Sequence, residues 1–180
     1  KDRMVFSVTP VAIDGTEGRP VSAEVDTRPE LLPEPVICLP MDNDPGKLKI
    51  TGSVTFGPDG AKLNNSYLTI PHTDNMYLGS QMTLEFEFRL DDASRMPVIL
   101  SHGVYNLDGW FVQVLHGRFI VRTPGGDARG PVIRQGEWYN VRFVFDGTRF
   151  NLVINDQWYE QDPKVDEFKE VPRDLIIGQY

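Results

Sequence analysis

Cysteine is nearly absent: Cys38 is the one thiol in 180 residues. A lone thiol cannot close an internal disulfide, and no cysteine cluster is there to hold zinc. Cys38 lies within the apolar run Val36-Ile37-Cys38-Leu39 and reads as a small buried hydrophobe in a strand. Histidine is scarce too. His72, His102 and His116 show no metal-ligand spacing and no motif with Cys38 that would create a nucleophile. Basic charge is in deficit, with 18 Lys and Arg against 26 Asp and Glu, a net of −8. That field repels a phosphate backbone and argues against a nucleic-acid partner. No apolar run approaches the roughly 20 residues of a membrane-spanning helix. Helical periodicity is also missing; residues 164–171 come closest, with a turn or two. No repeat of fixed period appears. The chain begins at Lys1 with neither an initiating Met nor a signal peptide, which predicts a mature or trimmed product.

Turn formers and aromatics are abundant: 16 Gly, 14 Pro and 11% aromatic residues, with 40% hydrophobic residues overall. That mix suits short strands joined by turns, and the length suits one domain or one domain plus an arm. A chain of this size buries roughly 70% of its unfolded surface, so it needs no staple to fold. Residues 1–35 differ from the rest. Two apolar stretches, Met4–Val8 and Val21–Val25, each permit a short strand among Pro10, Gly15, Gly18, Pro20, Pro29, Pro33 and Pro35. The segment Arg28–Pro35 is extended and semi-rigid, because proline fixes φ and restricts the residue before it. It marks residues 1–35 as an extended arm or linker.

Residues 36–180 read as a dense series of strands. Leu84, Phe86, Phe88 and Leu90 alternate with Thr83, Glu85, Glu87 and Arg89. Tyr139, Val141, Phe143 and Phe145 alternate likewise, as do Phe150, Leu152 and Ile154. This period of two is that of a strand with one buried face. Pro97–Ser101 is a short buried run, and Leu175-Ile176-Ile177 is another. His116-Gly117 lies between Trp110–Leu115 and Arg118–Arg122 as a two-residue hairpin turn, and Asn155-Asp156 makes a second. Strands at intervals of about eight to twelve residues with turn residues between them predict an all-β antiparallel sandwich.

The order of these segments resembles that of a laminin-G-like domain. Gly60–Leu63 with Ser66–Pro71 is similar to the family's opening strands, and Met82–Leu90 to its next core strand. Gly109–Val112, Gly136–Gly147 and Phe150–Asn155 fit in turn, although Asp156 stands where glycine is usual. Leu175–Gly178 matches the late "l-x-I-G" strand, and Val36–Asp42 resembles the first strand of bacterial members. The resemblance implies a concanavalin A-like jelly roll over residues 36–180, two antiparallel sheets packed face to face. It also implies an extracellular, periplasmic or cell-surface setting. Family members continue after the "I-G" strand with a closing strand. With Tyr180 following so soon, Met4–Val8 or Val21–Val25 is expected to fill that slot, because an open edge invites aggregation.

On function, the resemblance implies a non-catalytic, lectin-like module that binds a polysaccharide or glycan. A structural domain that braces a neighbouring protein domain is the alternative, and a divergent glycoside hydrolase is a second. For the hydrolase, Glu85 and Glu87 are the catalytic candidates, on one strand face and about 7 Å apart at the backbone. Retaining hydrolysis requires two carboxyls about 5–5.5 Å apart across the bond. The third acid of the glucanase pattern is missing, and Arg89 is expected to pair with Glu87. Ser101 and His102 are adjacent and so point to opposite faces, which excludes a shared proton. A calcium ion, which many such domains hold, would look first to Asp42-Asn43-Asp44, then to Asp91-Asp92 or Asp74-Asn75. These residues also suit turns. Sugar rings stack on aromatic faces, so Tyr105, Trp110, Trp158 and Tyr159 are the ligand-binding candidates, each with a core or hairpin reading beside it. Trp138 is expected to be structural. Tyr105-Asn106-Leu107-Asp108 combines stacking and polar groups in one loop. Arg118, Arg122, Arg129 and Arg134 surround Gly125-Gly126, either to bind an anionic sugar or as an ordinary solvated loop.

Overall fold

A computed structural model describes residues 3–8, 21–26, 35, 37–44, 46–76, 81–104, 107–123, 126–146, 149–159, 161 and 171–178. The chain divides into two units, residues 1–35 and 36–180. In the first unit, β1 (Arg3–Val8) and β2 (Val21–Asp26) pair antiparallel, from Arg3 opposite Asp26 to Val8 opposite Val21. Each of the two apolar stretches is thus a strand, and the partner of each is the other.

The second unit holds a sheet of seven strands and a sheet of four. The larger is built from β3 (Lys49–Gly57), β4 (Gly60–Ile70), β6 (Val98–Val104), β7 (Asp108–Leu115), β8 (Arg118–Thr123), β9 (Gly126–Val132) and β13 (Leu175–Ile177). Their order across the sheet is β3-β4-β13-β6-β7-β8-β9. The smaller uses β5 (Met82–Arg89), β10 (Trp138–Phe145), β11 (Phe150–Ile154) and β12 (Gln157–Tyr159), in the order β12-β11-β10-β5. Every pairing is antiparallel. The only helical turn among the described residues is Asp74–Met76.

The alternating segments become strands because one face of each must leave water. Tyr139, Val141, Phe143 and Phe145 of β10 turn inward beside Phe150, Leu152 and Ile154 of β11. From the other sheet come Trp110, Val112 and Val114 of β7, Phe119 and Val121 of β8, and Ala128 of β9. Phe88 of β5 joins the layers, its ring 5.4 Å from Tyr139 in its own sheet and 5.8 Å from Phe119 in the other. Phe119, Phe143 and Phe145 are at most 1% exposed. Burying side chains of this size contributes about 1.5–3 kcal/mol each. Gly130 makes room for this layer, since a Cβ there would stand 2.8 Å from Ile154 Cδ1.

Both two-residue turns form as their residues demand. His116 (φ 50°) with Gly117 (φ 76°), and Asn155 (φ 49°) with Asp156 (φ 61°), take the left-handed pair of a type I′ hairpin. Asn155 also accepts the Asn140 N–H on Oδ1 at 2.8 Å, which holds β10 against the turn.

Two expectations change. Residues 37–40 form no strand and Cys38 is exposed, not buried. Pro35 and Pro40 bracket the run, and prolines supply no N–H for a ladder. Conversely, β3 and β9 are strands that hydrophobic alternation did not announce. Both lie at edges of the large sheet, where the partner strand supplies the order; Pro131 of β9 is tolerated there. Residues 164–171, the nearest approach to helical periodicity, fall outside the described residues apart from Val171, which is buried.

Candidate functional site

The register of the large sheet sets Ser101, Phe111, Arg122 and Asp127 side by side across β6, β7, β8 and β9. Because Trp110 and Val112 enter the core, alternation turns this row to the opposite face. Phe111 and Ser101 are nonetheless only 4% and 3% exposed, so the row is not a free solvent face. Where it reaches the strand ends it opens into a recess of about 500 Å³, lined by Leu107, Asp108, Gly109, Phe111, Arg122, Thr123 and Asp127. That volume lies within the range of about 300–1,000 Å³ typical of ligand pockets.

The polar groups of the recess are held in place. Arg122 donates to Asp127 in a fork, Nε to Oδ1 at 2.9 Å and Nη2 to Oδ2 at 3.1 Å. Both side chains are largely buried, at 24% and 19% exposed. Arg129 adds a longer contact to Asp127 at 3.9 Å. Thr123 Oγ1 donates to the Gly126 carbonyl at 3.0 Å, fixing the hairpin end. Asp108 accepts the Val104 N–H on Oδ1 at 2.7 Å and meets Arg173 Nε on Oδ2 at 3.3 Å. Leu107, 71% exposed, forms an apolar rim.

Behind the recess lies a partly buried polar cluster. His102 is 4% exposed, its Nε2 is 2.9 Å from the Arg173 carbonyl and its ring lies 5.7 Å from Trp110. Burial pulls the His102 pKa below its ordinary 6.5, and nearby His72 adds to this; the Arg173 carbonyl, Asp108 and Asp174 oppose it. His72 donates its backbone N–H to Asp174 Oδ1 at 2.9 Å. The Trp110 Nε1 and His72 Nδ1 atoms are buried without a protein partner. Together these groups tie residues 173–174 to β6, to β7 and to His72 beyond the end of β4.

Trp110 is therefore a core residue, 3% exposed, and offers no face for a sugar ring. Tyr159 likewise packs against the core, in register with inward-facing Leu152, and its hydroxyl donates to Gln157 Oε1 at 3.0 Å. Tyr105 lies outside the described residues. Trp158 is 58% exposed on the outer face of the small sheet, which also carries Glu85 and Glu87. Glu85 pairs with Arg142 at 3.1 Å, and Glu87 accepts Asn140 Nδ2 at 3.0 Å. Arg89 does not pair with Glu87. Its guanidinium sits 5.2 Å over the ring of Trp138, with Asp91 at 4.0 Å. Trp138, expected to be structural, is 45% exposed. Glu85 and Glu87 do not line the recess, and the residues opposite them on β10 are Arg142 and Asn140, not a second acid.

The acidic loops are occupied with turns. Asp42, Asn43 and Asp44 are exposed. Asn43 Nδ2 donates to Asp42 Oδ1 at 3.1 Å, and Asp44 Oδ1 accepts the Gly46 N–H at 2.8 Å. Asp92 accepts the Ser94 N–H at 2.8 Å and its hydroxyl at 2.6 Å, and these bonds hold its carboxyl below the usual range. Asp91 meets Lys62 at 3.7 Å. Among the described residues no three acidic, His or Cys side chains converge on a point.

The sequence pointed to the Leu107-Asp108 loop and to Arg122 separately but missed Phe111 and Asp127. Only the cross-strand register brings them together.

No family model and no curated protein sequence matches the chain. Solved structures do. Domain 4 of AbnA, a GH43 extracellular arabinanase from Geobacillus stearothermophilus in complex with arabinotriose, is 16% identical with a TM-score of 0.56, and the match covers 73% of each chain. Domains LG4-5 of the mouse laminin α1 chain are 16% identical over 62% of this chain, with a TM-score of 0.49. The chain spans 31% of that laminin fragment's length. No helix among the described residues is long and apolar enough to cross a membrane. The second unit thus has the two-sheet antiparallel jelly-roll fold that it shares with the AbnA domain.

Proposed function

We propose that residues 36–180 are a non-catalytic carbohydrate-binding module of an extracellular or cell-surface protein, and that the recess at the ends of β7, β8 and β9 takes a sugar. The observation that carries this reading is the forked, largely buried Arg122–Asp127 pair set beside Phe111 and Asp108. A sugar hydroxyl both donates and accepts, so one hydroxyl can give its proton to a carboxylate while a neighbour accepts from a guanidinium. Leu107, exposed at the rim, supplies apolar surface for the C–H face of the ring. Because the polar groups sit on strands and are already fixed, little ordering cost remains when the sugar binds. A domain of this fold that is recorded with arabinotriose supports the substrate class. Glu85 and Glu87, each committed to a cross-strand partner away from the recess, make catalysis the weaker reading.

Calorimetric titration against a panel of plant and microbial oligosaccharides, arabinotriose included, tests the assignment. Asp127→Asn should weaken the best ligand about tenfold or more, as loss of a buried charged hydrogen-bonding group does. Unchanged affinity in a folded variant would remove the recess from the site.

A further inference from the structure

The outer face of the small sheet carries a second set of groups that the recess does not use. Trp138 on β10 and Trp158 on β12 are its exposed aromatics, at 45% and 58%. Trp158 lies opposite Val153, which lies opposite Arg142, four residues along β10 from Trp138. At about 3.4 Å per residue and 4.8 Å per strand, the two indoles are roughly 17 Å apart at the backbone. Val153 of β11 lies between the two strands that carry them, and alongside, on β10 and the edge strand β5, stand Arg142 with Glu85, Asn140 with Glu87, and Arg89 against Trp138. The charged members, Glu85, Glu87, Arg89 and Arg142, sum to zero.

We propose that this face is a second glycan-binding surface, which takes an extended neutral oligosaccharide reaching from Trp138 to Trp158. Two separated indoles offer stacking platforms for rings at the two ends of a chain. The ladder alongside them presents carboxylates, guanidinia and amides, which hydroxyl groups satisfy as donors and acceptors alike. Its charge balance disfavours a polyanion, since Glu85 and Glu87 would face it. The platform also lacks the contiguous apolar centre of a protein interface, because paired polar groups flank the two aromatics. The distance exceeds a single ring, so this surface should read chain length where the recess reads one sugar. The recess lies on the large sheet and this surface on the small one, so a module with both can hold two chains, and binding to a polymer gains by effective concentration.

Neutral linear arabino-, xylo- and cello-oligosaccharides of two to six units, titrated against Asp127→Asn protein, separate this surface from the recess. Affinity should rise with length until the chain reaches both indoles, with a change in tryptophan fluorescence. Trp138→Ala and Trp158→Ala should each cost the longest ligand about tenfold and the disaccharide far less. A urea melt verifies that both variants remain folded. A folded double variant that binds the longest chains as tightly as Asp127→Asn alone would overturn the proposal. So would affinity independent of length, or tighter binding of oligogalacturonate than of any neutral chain.

Discussion

Replacing Gly109 with alanine tests the close packing that forms one wall of the recess. Gly109 is opposite Gly103 on β6, and a Cβ at Gly109 would stand 1.7 Å from the His102 carbonyl oxygen and 2.7 Å from the Gly103 Cα. Those are backbone atoms, so no side chain can swing away; the strands must part. Gly109 also has φ 77°, which costs an L-residue about 1–2 kcal/mol. Forced separation of packed strands adds about 1–3 kcal/mol. The matched control is Gly117→Ala. Gly117 has φ 76° but no atom within 4 Å of its Cβ position, so only the backbone cost applies. The two variants therefore share the conformational term and differ in the clash. In a domain of this size 1 kcal/mol moves the melting temperature by about 2–4 °C. Differential scanning calorimetry should place Gly109→Ala roughly 2–12 °C below Gly117→Ala. Gly109→Ala should also weaken binding in the recess, because the neighbouring Asp108 moves with the strand, while Gly117→Ala should not. Equal melting temperatures would refute the claim that close approach of β6 and β7 is what requires glycine at 109.

Burial keeps His102 neutral in the fold, its pKa below the 6.5 it has in the unfolded chain. The stability this contributes is present above pH 6.5 and is lost as pH falls from there toward the folded pKa. Urea midpoints measured through that window should decline less steeply for His102→Gln than for the parent, and parallel curves would sink the assignment. A double-mutant cycle with Arg122→Met and Asp127→Leu should give a coupling of about 1.5–3 kcal/mol, as expected for a charge-assisted fork with little solvent. A coupling below about 0.5 kcal/mol would class the pair with exposed surface bridges.

Much of the sandwich is written in period-two alternation. β5, β10 and β11 each carry aromatic or branched residues at every second position, and such a stretch can bury them only as a strand against another layer. His116-Gly117 and Asn155-Asp156 name their own turns, because few residues tolerate two successive left-handed positions. Local sequence does not determine which face of an interior strand is open. Trp110 and Phe111 are neighbours on opposite faces of β7, and both are buried. Trp138, in the most recognisable segment, faces outward instead. β3 and β9 owe their order to a partner strand, and residues 37–40 are denied one by the prolines around them. The recess follows the same logic. Leu107-Asp108, Phe111, Arg122 and Asp127 come from three strands and a loop, and no spacing in the chain links them. Cross-strand register alone puts Phe111 beside Arg122 and Arg122 beside Asp127, so alternation determines the strands and tertiary pairing determines the site.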